Sequence, residues 1–190
     1  MQTGIENTPN LSRAIQGVTL IELLVAMSIS AILLGIGVPS FNQFTINNRL
    51  NSYANTLFSH LSLARSEAIK RNTRVAICKS TDGASCASTG DWGQGWIVFV
   101  DTDNNASTSN GEQIITTMST LANGYSFSGN ANVSSYISFD GYGMPKLVSG
   151  GFQSGTVTLC PAAPSLAGNG RSIIISSSGR SRITKIDTCS

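Results

Sequence analysis

Apolar residues along this chain follow two successive patterns, the first of which is continuous. Residues 18–38 are apolar except for one charge, Glu22, and a few short polar side chains. A helix rises about 1.5 Å per residue, so a helix over this run would span roughly 31 Å and cross the hydrocarbon core of a bilayer. We therefore predict a membrane-spanning helix at residues 18–38, preceded by a polar segment at residues 1–17.

The second pattern is an apolar stripe at helical spacing. Beyond Pro39, apolar residues recur three or four positions apart, at Leu50, Ala54, Leu57, Leu61, Ala64 and Ala68. This spacing places them on one face of a helix. The pattern predicts that the first helix continues over residues 39–72 and buries this face against the rest of the protein.

From Arg74 onward the chain consists of short β-rich runs separated by Gly, Asn, Asp and Ser clusters. Such runs and turns are typical of an antiparallel sheet. Strands are predicted at residues 75–79, 96–100, 113–118, 125–127, 133–139, 156–160, 171–176 and 180–186. The predicted fold class is α+β, with one β-rich head at residues 73–190.

Composition narrows the function classes. Apolar residues make up 41% of the 190 residues and charged residues 12%, and the net charge is +2. The apolar content and the low net charge exclude a disordered chain. The low net charge also excludes a strong global attraction to nucleic acid or lipid. The one histidine, His60, rules out a multi-histidine metal site and argues against a histidine-dependent triad. The serines lie in turns without a Gly-x-Ser-x-Gly elbow. We therefore expect no enzyme and no cofactor.

Glu22 requires a partner or a place near the membrane surface, because an acidic residue at the bilayer centre costs about 2.5–3.5 kcal/mol. Gly17, Val18 and the following Thr-Leu-Ile-Glu-Leu-Leu resemble the processing site of type IV pilins and type II secretion pseudopilins. The resemblance implies that prepilin peptidase cuts after Gly17 and leaves Val18 as an N-methylated terminus. It also implies that Glu22 pairs with the terminal amine of a neighbouring subunit. Val18 replaces the usual Phe, and Pro39 matches the bend in the family's long helix.

Three further stretches resemble the GspH/FimT group of minor pilins and pseudopilins. These are residues 61–78, the Trp-Gly-Gln-Gly-Trp block at 92–96 and the Phe-Asp-Gly-Tyr-Gly block at 139–143. With the N-terminal motif, the resemblance covers nearly all of the chain after residue 17. It implies the type IV pilin fold, a long N-terminal helix packed on an antiparallel, β-sandwich-like head.

The four cysteines indicate an oxidising compartment and allow three pairings. Sequence proximity favours Cys78 with Cys86 and Cys160 with Cys189. A zinc site is the competing interpretation, but Cys-x-x-Cys spacing and supporting histidines are both missing from the sequence.

An acidic segment has the ligand spacing of a calcium loop, since Asp101, Asp103 and Asn105 alternate ahead of Glu112. Ala106 stands where such a loop requires Gly, and the flanking runs are predicted strands rather than helices. We favour a polar hairpin without a metal, and the calcium interpretation stays open.

Basic residues gather near the C-terminal end, at Lys146, Arg171, Arg180, Arg182 and Lys185. In an extended chain Arg180 and Arg182 would point the same way, about 7 Å apart, and so could reach phosphates along a DNA strand. Gly179, Arg180 and Arg182 match the Gly-Arg-x-Arg tail motif of FimT-type pilins. The resemblance implies double-stranded DNA binding for natural transformation, for which we name Gly179, Arg180 and Arg182, with Lys146, Arg171 and Lys185 as helpers.

Two function hypotheses follow. The first is a minor type IV pilin whose head binds double-stranded DNA for uptake. The second is a structural minor pilin or secretion pseudopilin that primes assembly and binds no DNA. Both imply prepilin peptidase and other pilin subunits as partners. Both also imply an inner-membrane anchor with a periplasmic head before incorporation into the pilus.

Overall fold

The computed structural model describes residues 17–108, 111–162 and 169–189, apart from the side chains of residues 39 and 40. The chain forms two compact units, Met1–Asn42 and Gln43–Ser190. All of the predicted leader except Gly17 lies outside the described residues.

A single helix, α1 (Leu20–Arg71), contributes to both units. It begins with a capping box, in which Thr19 Oγ1 accepts from the backbone N–H of Glu22 at 3.3 Å and Glu22 Oε2 accepts from the N–H of Thr19 at 3.4 Å. Its apolar first part is long and apolar enough to cross a membrane, with a mean hydropathy of 2.3 over the most apolar window.

The helix ends where Asn72 adopts a left-handed conformation, with φ of 50°. Asn72 N–H donates to the carbonyl of Ile69, and Thr73 N–H donates to that of Ala68. This pair of hydrogen bonds is the Schellman motif, which satisfies the last carbonyls of a helix.

The described residues after the helix form eight strands. They are β1 (Val75–Lys79), β2 (Trp96–Val100), β3 (Ile114–Met118), β4 (Tyr125–Gly129), β5 (Tyr136–Phe139), β6 (Gly155–Pro161), β7 (Gly170–Ile175) and β8 (Ser181–Ile186). They make two antiparallel sheets with the orders β3-β2-β1-β5 and β4-β6-β7-β8. The α+β prediction of a long helix packed on antiparallel sheets is confirmed.

One core joins α1 to both sheets. The predicted stripe from Leu50 to Ala68 is at most 1% exposed at each of its six positions and packs with apolar residues of both sheets. Trp96 of β2 donates its indole N–H to His60 Nδ1 at 2.9 Å, so the lone histidine packs against the core. Trp92 donates its indole N–H to the carbonyl of Val133 at 2.9 Å.

That last hydrogen bond explains one difference from the predicted strands. Residues 133–135 were expected in the fifth strand, which instead begins at Tyr136 after a 3-10 turn at Ala131–Val133. The carbonyl of Val133 faces Trp92, and it also lies so close to Gly129 that a Cβ there would overlap it. Packing around this carbonyl holds the segment in a turn.

Both cysteine pairs favoured by proximity are formed. Cys78 and Cys86 are joined with a Cα–Cα distance of 5.5 Å, and Cys160 and Cys189 with one of 5.8 Å. The second disulfide links the segment after β8 to β6 and so holds a segment that would otherwise fray.

Candidate nucleic-acid interface

The Gly-Arg-x-Arg motif spans the junction of a turn and a strand: Gly179 and Arg180 end the turn after β7, and Ser181 and Arg182 begin β8. Ser176 closes this turn, because its N–H donates to the carbonyl of Arg180 at 3.0 Å and its hydroxyl donates to the same oxygen at 3.0 Å. Gly179 adopts φ of 78°, which lies in the left-handed region that favours glycine. The turn is therefore closed by its own backbone and leads directly into β8.

Arg180 and Arg182 are both exposed and line one surface groove of about 460 Å³ with Ile174, Ser176 and Ser181. The ion pairs among the described residues join Glu67 to Lys70 and to Arg71. Among the residues that the structure describes, no carboxylate forms an ion pair with the guanidinium of Arg180 or with that of Arg182. The groove thus presents two positive charges with donors in a planar fork, the geometry that suits phosphate oxygens.

Arg65 of α1 fixes the position of this turn. Its Nε donates to the carbonyl of Gly143 at 3.0 Å, and its Nη2 donates to the carbonyl of Ser178 at 3.5 Å. Gly179 packs so closely on the same Gly143 oxygen that a Cβ would overlap it. The helix, the turn at residues 140–144 and the turn at residues 176–180 are therefore in mutual contact. The sequence does not predict this arrangement because its members are far apart in the chain.

Arg171 was predicted to help in DNA binding, and the structure contradicts this. It is 8% exposed, its Nε donates to Asn51 Oδ1 at 2.7 Å, and its Nη1 donates to the carbonyl of Gly170 at 2.8 Å. A side chain buried in these bonds ties β7 to α1 and is unavailable to a phosphate in solution.

Lys185 is exposed, but it lies on the other side of β8 from Arg182. It pairs with Arg171 across β7 and β8, and residues directly opposite in an antiparallel pair share a face of the sheet. Since Arg182 is three positions away on the same strand, it points to the opposite face. Lys146 is half-buried, with Nζ 4.0 Å from the centre of the Phe152 ring. The structure does not bring these two lysines into the Arg180–Arg182 groove.

The acidic segment forms a hydrogen-bonded loop. Carboxylate oxygens of Asp101, Asp103 and Glu112 lie within 4.8 Å of one another. Asp101 is fully buried and accepts from the N–H groups of Asn105 and Ala106 at 3.0 and 3.1 Å, while burial raises the pKa of its carboxyl. These local bonds suit the predicted polar hairpin, and the absence of a metal stays a prediction.

Comparison with known proteins defines the family. The family model described as "Type II transport protein GspH" matches residues 53–179, and the "Prokaryotic N-terminal methylation motif" matches residues 12–38. The first match spans more than half of the chain, so the chain belongs to the GspH family. Its fold is that of a solved type IV minor pilin and a solved minor pseudopilin.

Individual relatives agree with this class. The pilin-like protein PilA1 of Thermus thermophilus is 33% identical over 98 residues, which cover 52% of this chain and 56% of the relative; the chain thus spans about half the length of this curated relative. The minor pilin FimU of Pseudomonas aeruginosa superposes with a TM-score of 0.56 at 23% identity, over 77% of this chain and 99% of FimU. The minor pseudopilin EpsH of Vibrio cholerae gives 0.50 at 10% identity, over 73% and 97%. The two structures share the fold with this chain.

Proposed function

We propose that this protein is a FimT-type minor pilin of a type IV pilus, whose head binds double-stranded DNA for uptake in natural transformation. The observation that carries the proposal is the groove in which Arg180 and Arg182 lie exposed together, without a carboxylate partner in the described part of the chain. Two exposed guanidinium groups, one at the end of the turn and one in β8, are suited to adjacent phosphates of one strand.

The contact supplies affinity without sequence recognition. Phosphate contacts position a protein on DNA, whereas sequence is read from base edges. The residues that line the groove belong to β7, to β8 and to the turn between them, and not to a helix. We therefore expect weak, non-specific binding by one head, roughly 10⁻⁴–10⁻⁶ M, that several subunits in a filament would strengthen by avidity.

The N-terminal region supplies the anchor in this proposal. Prepilin peptidase would cut between Gly17 and Val18, and the apolar start of α1 would hold the head on the periplasmic side of the inner membrane until assembly. The large apolar side chains from Val18 to Val38 are at least half exposed, a surface that needs lipid or the helices of other pilins to cover it. Partners in this proposal are thus other pilin subunits as well as DNA.

A second candidate is a structural pseudopilin of a type II secretion system that primes assembly without binding DNA. The match to the type II transport family over residues 53–179 favours it, since that description names secretion rather than DNA uptake. In this alternative the two arginines would contact a neighbouring subunit.

A transformation assay in the native host separates the two candidates. Arg180→Gln combined with Arg182→Gln should reduce DNA uptake while leaving pili on the cell surface. Arg49→Gln combined with Lys185→Gln is the matched control, because it also removes two positive charges from exposed side chains, which lie outside the groove and have no ion pair among the described residues. Loss of pili in the first double variant would favour the structural subunit, and unchanged transformation with pili present would overturn the DNA-binding role.

A further inference from the structure

Tyr142 occupies an unusual position for an aromatic residue of the head. Its side chain is 84% exposed, the largest exposure among the large apolar side chains of the described residues. It lies in the turn at residues 140–144, which connects β5 to the segment preceding β6. Exposed aromatic rings are costly to leave in water, but a single one can be incidental, so its surroundings decide whether it has a role.

The turn that carries Tyr142 is closed by four hydrogen bonds in which Asp140 takes part, three as acceptor and one as donor. The Asp140 carboxylate oxygen Oδ1 accepts from the N–H groups of Tyr142 and Met144 at 3.0 and 2.9 Å. The backbone of Asp140 accepts from Gly143 at 2.8 Å and donates to Met144 at 3.0 Å. The Tyr142 backbone is therefore fixed, and only side-chain rotation is lost when the ring meets a ligand.

This turn is in direct contact with the turn at residues 176–180, which carries Arg180. The carbonyl of Gly143 accepts from Arg65 Nε and lies against the Cα of Gly179, while Arg65 also reaches the carbonyl of Ser178. Tyr142 and Arg180 are each one residue away from this contact. Since consecutive Cα atoms are 3.8 Å apart, their Cα atoms lie within roughly 14 Å, a distance that about four nucleotides cover at a rise of roughly 3.4 Å each along one strand.

We propose that Tyr142 is a further DNA contact, which stacks on an unpaired base while Arg180 and Arg182 hold the neighbouring phosphates. The proposal rests on the proposed DNA-binding function and extends its ligand to single-stranded segments and frayed ends. Exposed aromatic rings together with cationic side chains are the combination that binds single-stranded DNA without sequence preference, because every base has a face on which a ring can stack. Inside an intact duplex these faces are covered, so the ring adds affinity only where bases are unpaired.

The test compares two probes with equal numbers of phosphates. One is a single-stranded thymidine dodecamer, and the other is an abasic dodecamer with the same backbone. Binding of each to the chain beginning at Val18, held in uncharged detergent micelles, is measured by fluorescence anisotropy at one fixed salt concentration. We expect wild type to bind the thymidine strand about tenfold more tightly than the abasic strand, in the lower part of the range for one stacked base.

Variants locate the origin of this preference. Tyr142→Ala should bind both probes with equal affinity, close to that of wild type for the abasic strand, and Tyr142→Phe should keep the preference because the ring remains. Phe152→Ala, which removes another exposed ring, is the matched control and should also keep it. Equal binding of both probes by wild type, or a preference retained by Tyr142→Ala, would overturn the inference.

A failure of the underlying function has a different signature. Arg180→Gln with Arg182→Gln should weaken binding to both probes, since it removes phosphate contacts. If that variant binds both probes as wild type does, the proposed function itself fails. If it loses both while wild type shows no preference between them, the arginine contact stands and only the role of Tyr142 is rejected.

Discussion

Gly179 packs its Cα directly against the carbonyl oxygen of Gly143, and this contact leaves no room for a side chain at residue 179. The φ of 78° at Gly179 is a second reason for glycine, because a left-handed conformation costs other residues about 1–2 kcal/mol. Glycine in the Gly-Arg-x-Arg motif is thus required by the conformation and the position of the turn.

Gly179→Ala should therefore weaken DNA binding while every charge is retained. The Cβ would push the turn away from Gly143 and Arg65 and displace Arg180, and we expect at least a fivefold loss of affinity for duplex DNA, equivalent to about 1 kcal/mol. Gly124→Ala is the control, since Gly124 also has a positive φ but has open space around it. Wild-type affinity in Gly179→Ala would show that the turn need not be held in this place.

The head, starting near Asn47, should fold alone as a monomer with two disulfides. The closed loops separate Cys78 from Cys86 by 8 positions and Cys160 from Cys189 by 29. On the chain-entropy model these loops stabilise by about 2.6 and about 3.6 kcal/mol. Replacing Cys160 and Cys189 by Ser should thus lower the free energy of unfolding more than replacing the other pair, as measured by urea denaturation. Reaction of four thiols in the folded, unreduced head would reject this prediction.

The stability of the head should fall as the solution is acidified through the range in which histidine titrates. Burial lowers the pKa of His60 below its usual value of 6.5, and its Nδ1 accepts a hydrogen bond from Trp96. The unfolded chain then binds a proton that the folded head excludes, so stability is complete above pH 6.5 and decreases below it.

Urea denaturation at pH 7.5 and 5.5 measures this effect. His60→Asn keeps an acceptor near the position of Nδ1 but does not titrate, so its loss of stability between the two pH values should be smaller than that of wild type. Equal losses in the two proteins would assign the acid sensitivity to other groups.

Much of the fold could be predicted from local pattern. Each of the eight described strands overlaps a predicted one, because alternation and turn residues are local properties, and the stripe from Leu50 to Ala68 gave the buried face of the helix. The start of β5 was wrong because the hydrogen bond from Trp92 to Val133 connects residues 41 positions apart. No local pattern contains such a bond.

The candidate site divides in the same way. Arg180 and Arg182 could be predicted as neighbours because two positions on an extended chain point to one side. The burial of Arg171 could not, because its partner Asn51 is 120 positions away. The role of Arg65 was missed for the same reason, since its acceptors lie 78 and 113 positions further along the chain.

Prepilin peptidase should remove residues 1–17, and mass spectrometry showing an intact leader would contradict this prediction.

A substitution at Glu22 separates the role of this residue in helix capping from its role in charge pairing. Glu22→Gln retains a capping side chain for Thr19 but not the charge. We expect this variant, like Glu22→Ala, to be cleaved but to assemble poorly, as the amine of a neighbouring subunit would lack its carboxylate. Normal assembly of Glu22→Gln would reject that pairing.

The central claim is that Arg180 and Arg182 bind DNA phosphates, and a titration with double-stranded DNA at several salt concentrations tests it most directly. With two to four phosphates neutralised, the logarithm of the wild-type affinity should fall against the logarithm of the salt concentration with a slope of about −2 to −4. NMR shifts should centre on residues 176–182. Arg180→Gln with Arg182→Gln should abolish the shifts without altering the fold, whereas Arg49→Gln with Lys185→Gln should preserve them. An absence of shifts in wild type at low salt, or equal binding by the first double variant, would contradict the account.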